Sequence, residues 1–137
     1  MSGRVLAVDY GTKNIGLALS DEACLTAQPL PSIPHSGLNN VLDRLLEVVH
    51  RLDIRAIVVG MPLNMDGTRG DAALRMENVI SFLKKRAGVP VFHVDETLST
   101  IEALEYWRRM TIRQRRKYRT VDSLAAALIL ERHLKEY

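Results

Sequence analysis

Two apolar runs of strand length stand close together at the start of the chain, "RVLAVDY" from Arg4 and "IGLALS" from Ile15. The glycine-containing turn between them predicts a β-hairpin. The first run ends on a lone carboxylate, Asp9. Gly11 already supplies the flexible backbone that the turn needs, so a role for Asp9 in the turn alone is the weaker interpretation. The fold must therefore accommodate an N-terminal hairpin whose first strand ends on a charge.

The rest of the chain alternates strand and helix patterns. "CLTAQPLPSIP" is rich in proline, which restricts any strand there to a sheet edge, and apolar residues then recur at helical spacing from Leu38 to Leu52. "AIVVGMPL" is apolar throughout, as in a strand buried on both faces. A second helix from Asp71, a strand "VPVFHVDE", a third helix capped by Ser99 and Glu102, and a final helix "VDSLAAALILERHL" follow. This order predicts an α/β fold with a mixed sheet and helices on its faces.

Length and composition limit the architecture. A chain of 137 residues that is 47% apolar can bury one core, so we expect a single domain spanning residues 1–137. One cysteine, Cys24, excludes an internal disulfide and a cysteine-built zinc site. No apolar run approaches the roughly 18 residues of a membrane span, and the start lacks a signal-peptide pattern. We therefore expect a cytoplasmic protein with no membrane partner.

Carboxylates follow the strands that we expect to run parallel. Right-handed crossovers would place the ends of the strands at Asp9, near Leu63 and at Glu96 along one edge of the sheet, where open α/β sheets bind ligands. Because side chains alternate along a strand, only one of Asp95 and Glu96 can share a face with Asp9. Glu96 lies on the more apolar, helix-covered face, so Glu96 is the candidate and Asp95 an orienting or structural group.

A third carboxylate, Asp122, stands in the first turn of the last predicted helix. An aspartate there is commonly only a helix-start residue, because it interacts favourably with the helix dipole. The three alanines at 125–127 would let this helix approach the sheet closely and bring Asp122 to the same edge. We therefore predict Asp9, Glu96 and Asp122 as both the catalytic residues and the metal ligands.

Positive charge is concentrated in one segment. Residues 106–121 carry seven cations and no acid, whereas the other residues carry 12 of the 19 basic and all 16 acidic side chains. A solvated surface run is the plain interpretation, but cations interleaved with Trp107 and Tyr118 suit phosphates and bases. We expect this basic segment to lie beside the carboxylates. The predicted nucleic-acid contacts are Lys13, Arg108, Arg109, Arg113, Arg115, Arg116, Lys117 and Arg119.

Three carboxylates beside a basic segment indicate shared divalent cations. Two metal ions roughly 3.5 to 4 Å apart can activate water and stabilise the leaving oxygen during attack on a phosphodiester. Hard oxygen ligands favour Mg²⁺ or Mn²⁺. We therefore expect a metal-dependent hydrolase with two such ions.

Four motifs in order, "LAVDYGTKNIGLALSD", "VVGMPLNMDG", "VDETLST" and "VDSLAAALIL", resemble the YqgF family, also called RuvX, of the ribonuclease H-like superfamily. The resemblance covers nearly the whole chain. It implies a ribonuclease H-like fold with a five-stranded mixed sheet, helices on both faces and a metal-dependent nuclease activity with the acidic set on Asp9, Glu96 and Asp122. Members are described as processing nucleases for pre-16S rRNA, in ribosome biogenesis, or as Holliday junction resolvase-like enzymes of DNA recombination and repair.

The chain departs from related patterns at three places. The strand that carries an acid in junction resolvases ends "GMPLN" here, so Glu96 must act from the next strand. A fourth acid one turn from Asp122 is missing, since Arg119 precedes it and Ala125 follows. Thr97 replaces an arginine that is common in the family after "DE".

Several alternatives stay open on sequence alone. Processing of the 5′ end of pre-16S rRNA is the favoured activity, with junction resolution as the alternative and a non-catalytic nucleic-acid-binding protein as a third. The substrate is structured RNA or branched DNA, and a homodimer would favour the junction because a four-way junction has two-fold symmetry. The "DYGT" start also resembles the phosphate hairpin of actin-like ATPases, but those need two such domains around a nucleotide.

Overall fold

The computed structural model describes residues 3–10, 14–61, 70–95, 97–118 and 121–136. Its elements in chain order are β1 (Arg4–Tyr10), β2 (Asn14–Ser20), β3 (Ala27–Pro34), α1 (Leu38–Arg51), β4 (Ile54–Met61), α2 (Asp71–Arg86), β5 (Val91–Asp95), α3 (Thr97–Arg109), α4 (Ile112–Tyr118) and α5 (Val121–Glu136). None of the helices within these ranges has the length and apolar character of a membrane span.

The sheet has five strands in the order β3-β2-β1-β4-β5. The strands β1, β2 and β3 pair antiparallel, whereas β1 pairs with β4 and β4 with β5 in parallel. This confirms the mixed sheet, the N-terminal hairpin and the edge position of the proline-rich strand. Because β1, β4 and β5 are parallel, their carboxyl ends lie along one edge, which we call the carboxyl edge.

Helices cover both faces of the sheet, as predicted. On one face Leu6, Val8 and Val59 pack in a core cluster with apolar residues of α1 and α2. On the other face the short side chains of Ala7 and Ala18 pack in a second cluster with α5. The alternation of side chains along β1 thus divides the core into two layers.

The helix α5 runs antiparallel to β1, from the carboxyl edge toward the end of the sheet where β1 begins. Near its start, the Ser123 hydroxyl donates a hydrogen bond of 2.8 Å to the Leu30 carbonyl of β3. Near its end, Leu134 packs against the second cluster together with Cys24 and Ala27, which lie just before and at the start of β3. The first turn of α5 is therefore held at the carboxyl edge.

One local prediction is wrong, and one helix was not predicted. The third predicted helix begins at Thr97, so Ser99 is its third residue and does not cap its start. Residues 112–118 of the basic segment form α4, which the sequence patterns did not predict. A reciprocal cap explains this short helix: the Gln114 side chain accepts a bond from the Thr111 amide at 2.9 Å, and Thr111 Oγ1 accepts one from the Gln114 amide at 3.2 Å.

Candidate active site at the carboxyl edge

Asp9 is a buried carboxylate at the end of the central strand. Its side chain is 6% exposed, and alternation places it on the same face as Val5 and Ala7, the face that α5 covers. Burying an ionised carboxylate costs free energy unless positive charge or hydrogen-bond donors compensate it. The sequence prediction that β1 ends on a charge at a helix-covered edge is confirmed.

The next residue, Tyr10, is on the opposite face. Its ring meets that of His35 edge to face at 5.2 Å, and burial raises its pKa above 10.0 while the nearby Arg75 acts in the other direction. The phenol therefore stays protonated at neutral pH. Asp9 is the ionisable group that β1 presents beneath α5.

Glycines flank Asp9 on both neighbouring strands. Gly16 of β2 is its direct partner in the sheet. On the other side Val8 pairs with Val59, so Gly60 is the next residue of β4 and lies level with Asp9. Because cross-strand neighbours project to the same side, the α5 face has no side chain on either side of this carboxylate. Sequence reasoning missed these glycines, although a glycine inside an apolar strand often marks close approach of a ligand.

The alternation along β5 follows the predicted face assignment up to residue 94. Gly60 pairs with Val94, and Val94 packs against the cluster beneath α5. The Phe92 ring lies 5.5 Å from the His133 ring of α5. The face of Phe92 and Val94 is therefore the helix-covered face that also carries Asp9.

The structure does not describe the side chains of two of the three predicted metal ligands. Glu96 lies outside the described residues. Asp122 is the second residue of α5, at the carboxyl edge, but its side chain also lies outside them. Among the side chains that are described, no group of three or more His, Cys, Asp or Glu is arranged to hold a metal ion. What is described fits a hard cation in its donor chemistry, since Asp9 offers carboxylate oxygens and the residues level with it on β2 and β4 are glycines.

The described cations of the basic segment are exposed, with one exception. Arg115 is half-buried: its Nε donates to the Trp107 carbonyl at 2.9 Å, and its guanidinium lies 5.2 Å from the Trp107 ring centroid. Charge patterning does not predict this contact within the protein. Lys13 and Arg119 lie outside the described residues. The exposed cations are Arg108, Arg109, Arg113, Arg116 and Lys117.

The sequence led us to expect the whole basic segment beside the carboxyl edge. Part of it lies elsewhere. Lys117 lines a cavity of about 510 Å³ with Thr26 and Gln28 near the start of β3 and Lys135 near the end of α5. These residues lie toward the opposite end of α5 from Asp9. The correction follows from the helical form of α4, which carries its cations along β3 instead of holding them in a compact loop.

The sheet order, the helices on both faces and the central strand ending on a buried carboxylate define a ribonuclease H-like α/β protein. Similar solved structures agree: the fowlpox virus resolvase in complex with Holliday junction DNA has a TM-score of 0.61 at 13% identity, covering 97% of each chain. RuvC of T. thermophilus in complex with a Holliday junction has a TM-score of 0.56 at 21% identity, covering 93% of this chain and 91% of RuvC. At these identities the likeness establishes the fold alone.

The family follows from sequence comparison. The RuvX family model, described as Holliday junction resolvase, matches residues 3–136. A protein of Syntrophus aciditrophicus (strain SB) named "Putative pre-16S rRNA nuclease" is 41% identical over 134 residues, covering 96% of this chain and 87% of the relative. The chain belongs to the RuvX family, as its four motifs indicated.

The space beside Asp9 can be tested by filling it. Gly60→Val places a branched side chain on the α5 face next to the carboxylate, so we expect nucleic-acid cleavage to fall at least about tenfold through loss of room for ligands. Cleavage rate and thermal unfolding should be measured together.

Ala56→Val is the matched control, because Ala56 lies on the same face of β4 and packs in the cluster beneath α5. Both variants should lose about 1 to 3 kcal/mol of stability through overpacking. Equal loss of cleavage in the two variants would show that general strain, and not the space beside Asp9, is responsible.

Proposed function

We propose that this protein is a nuclease that hydrolyses phosphodiester bonds in structured nucleic acid, with pre-16S rRNA as the favoured substrate. The observation that carries the proposal is the buried Asp9 carboxylate between two glycines at the carboxyl edge, beneath the helix that begins there. Membership of the RuvX family and relatives named as pre-16S rRNA nucleases support the same conclusion.

Glu96 is proposed as the second acidic residue. It directly follows β5, whose last described residue is Asp95. Continuing the alternation from Phe92 and Val94 by one more step would put residue 96 on the face of Asp9. Two strand spacings, about 9.6 Å, separate β1 from β5, and a glutamate side chain is long enough to help close that distance.

Asp122 is proposed as the third acidic residue. The next residue, Ser123, donates its hydrogen bond to the Leu30 carbonyl. Leu30 is level with Val8 because both pair with Leu17 of β2. Asp122 lies one helical residue, about 1.5 Å, closer to the carboxyl edge than Ser123. The second residue of α5 would therefore be level with Asp9 near the end of β1.

These three carboxylates are the groups that would hold two divalent cations, Mg²⁺ or Mn²⁺. Bound there, the cations would supply positive charge that lowers the pKa of a water molecule and stabilises the leaving oxygen of the phosphodiester. The protein's own part is to place the carboxylates, and the packing of α5 limits the access of bulk water to Asp9.

The exposed cations of α3 and α4 are proposed to bind the phosphate backbone. Contacts to phosphates give affinity and orientation without reading sequence. Because Lys117 lies toward the far end of α5, the bound strand would extend along β3 away from Asp9. This favours a substrate with several nucleotides on one side of the cleaved bond.

Resolution of Holliday junctions is the second candidate activity, because the matching family model carries that description. Symmetric cleavage of a four-way junction would require two active sites and hence a homodimer. Cleavage at one end of an rRNA precursor requires only one.

The two activities can be separated directly. A pre-16S rRNA fragment and a four-way DNA junction should be incubated with the protein side by side, with and without Mn²⁺. We expect metal-dependent cleavage of the RNA at a defined position. Cleavage of the junction alone would establish the resolvase activity instead, and binding of either substrate without cleavage would indicate a non-catalytic protein.

The acidic set predicts a specific pattern of losses. Asp9→Asn and Glu96→Gln each keep side-chain shape and remove charge, so each should lower the cleavage rate by at least about a hundredfold while metal-free substrate binding survives. Single-turnover cleavage and an electrophoretic binding assay would measure the two effects.

Asp95→Asn is the matched control, because Asp95, whose side chain lies outside the described residues, precedes Glu96 and strand alternation predicts the opposite face for it. It should reduce cleavage only slightly. If Asp95→Asn proves as damaging as Glu96→Gln, the assignment of Glu96 is wrong.

The cations of α4 predict a change in salt dependence. Arg113, Arg116 and Lys117 are spaced three and four residues apart and so share one side of the helix. Replacing all three with glutamine should reduce the slope of log affinity against log salt by about 2 to 3, if each contacts one phosphate. The position of cleavage should not change, because these contacts do not select sequence.

A control variant with glutamine at Arg51, Lys84 and Lys85 removes the same charge from α1 and α2. These three side chains are exposed, and their helices cover the sheet face opposite α5. Its salt slope should equal that of the unmodified protein. Equal slopes for the α4 variant and this control would remove the basic segment from the binding site.

A further inference from the structure

Arg115 differs from the other described cations of the basic segment in its surroundings. Its guanidinium covers the Trp107 ring at 5.2 Å from the centroid, and its Nε donates to the Trp107 carbonyl at 2.9 Å. That carbonyl lies in the last turn of α3, where the helix dipole attracts cations, and it also accepts a bond of 3.3 Å from the Met110 amide. Arg115 thus joins α4 to the end of α3 by two contacts to one residue.

Trp107 in turn connects this junction to the proposed active site. The ring packs against a cluster of Ala103, Leu124 and Ala125, and the last two belong to the first turns of α5. Trp107 therefore links α4 to the start of α5, in addition to the direct contacts that α4 makes with β3 and α5.

A helix of seven residues is too short to be stable in water without such contacts. The reciprocal cap between Thr111 and Gln114 fixes where α4 begins, but it does not fix where the helix lies on the protein. The contact between Arg115 and Trp107 supplies a further constraint on its position, beside the contacts of α4 with β3 and α5.

We propose that Arg115 is a positioning residue, which orients α4 so that Arg113, Arg116 and Lys117 meet the phosphate backbone of the substrate. The inference rests on the proposed function and refines it: the cations divide into those that bind phosphate and one that holds their helix in place. A planar guanidinium is needed because lysine can supply the charge but not both the stacking and the Nε–H bond.

Arg115→Lys tests this division while keeping the charge. If Arg115 positions α4, KM for cleavage should rise about fivefold or more with a smaller change in kcat, because two contacts of the helix are lost. Trp107 is the only tryptophan, so its emission should shift to longer wavelength as the ring loses its cover. Tryptic cleavage within residues 112–118 should also accelerate, since the substitution leaves the number of trypsin sites unchanged.

Three further variants make the result specific. Arg116→Lys should leave Trp107 emission and the tryptic rate unchanged, as expected for a cation whose role is to contact phosphate. Arg51→Lys, on the other face of the sheet, should match the unmodified protein in every measurement. Gln114→Ala removes the bond from the Thr111 amide to the Gln114 side chain, one of the two bonds of the α4 cap, without altering any charge. It should also raise KM and accelerate tryptic cleavage.

The proposal is overturned if Arg115→Lys behaves like Arg116→Lys in emission and proteolysis. It is also overturned if α4 loosens in Arg115→Lys or Gln114→Ala while KM stays the same. Failure of the proposed function itself is distinguishable, because the unmodified protein would then neither bind nor cleave nucleic acid while emission and proteolysis still report on the Arg115 contact.

Discussion

The close packing of α5 against the middle of the sheet determines where the charged groups of this protein lie. Ala126 and Ala127 pack with Ala7, Ala18 and Ala56 in one buried cluster, and only small side chains let a helix and a sheet approach so closely. This packing buries Asp9 at the end of β1 and holds the first turn of α5 at the carboxyl edge. Larger residues at these positions would move the helix, and with it the segment that carries Asp122, away from the sheet.

The residues level with Asp9 are the second requirement, because they carry no side chain. Gly16 and Gly60 flank Asp9 on the two neighbouring strands, whereas Val5 and Ala7 carry side chains on the same face farther along β1. No side chain of β2 or β4 therefore lies directly beside the carboxylate at this level. Under the proposed function, the two glycines would let cations and a phosphate group approach Asp9.

Much of this architecture follows from local sequence patterns. The apolar run within β4, the helical spacing in α1 and the prolines of β3 each predict an element or its place. The alternation along β5 identifies the face of Val94. The remainder depends on contacts between distant residues. The position of Gly60 beside Asp9 depends on the register between β1 and β4. The sequence of α4 has no apolar periodicity that would predict a helix. Its cap and the contact from Arg115 to Trp107, in another helix, stabilise it. The helix α3 begins at Thr97, before Ser99, so the local capping pattern of Ser99 and Glu102 does not determine where this helix starts.

The central claim is that the carboxyl edge holds divalent cations through Asp9. Electron paramagnetic resonance of Mn²⁺ titrated into the protein without nucleic acid tests it most directly, because free and bound Mn²⁺ give different signals. The account predicts saturable binding of Mn²⁺ that Mg²⁺ competes for and that Asp9→Asn weakens by at least about tenfold. Mn²⁺ binding of equal strength to the unmodified protein and to Asp9→Asn would contradict the account.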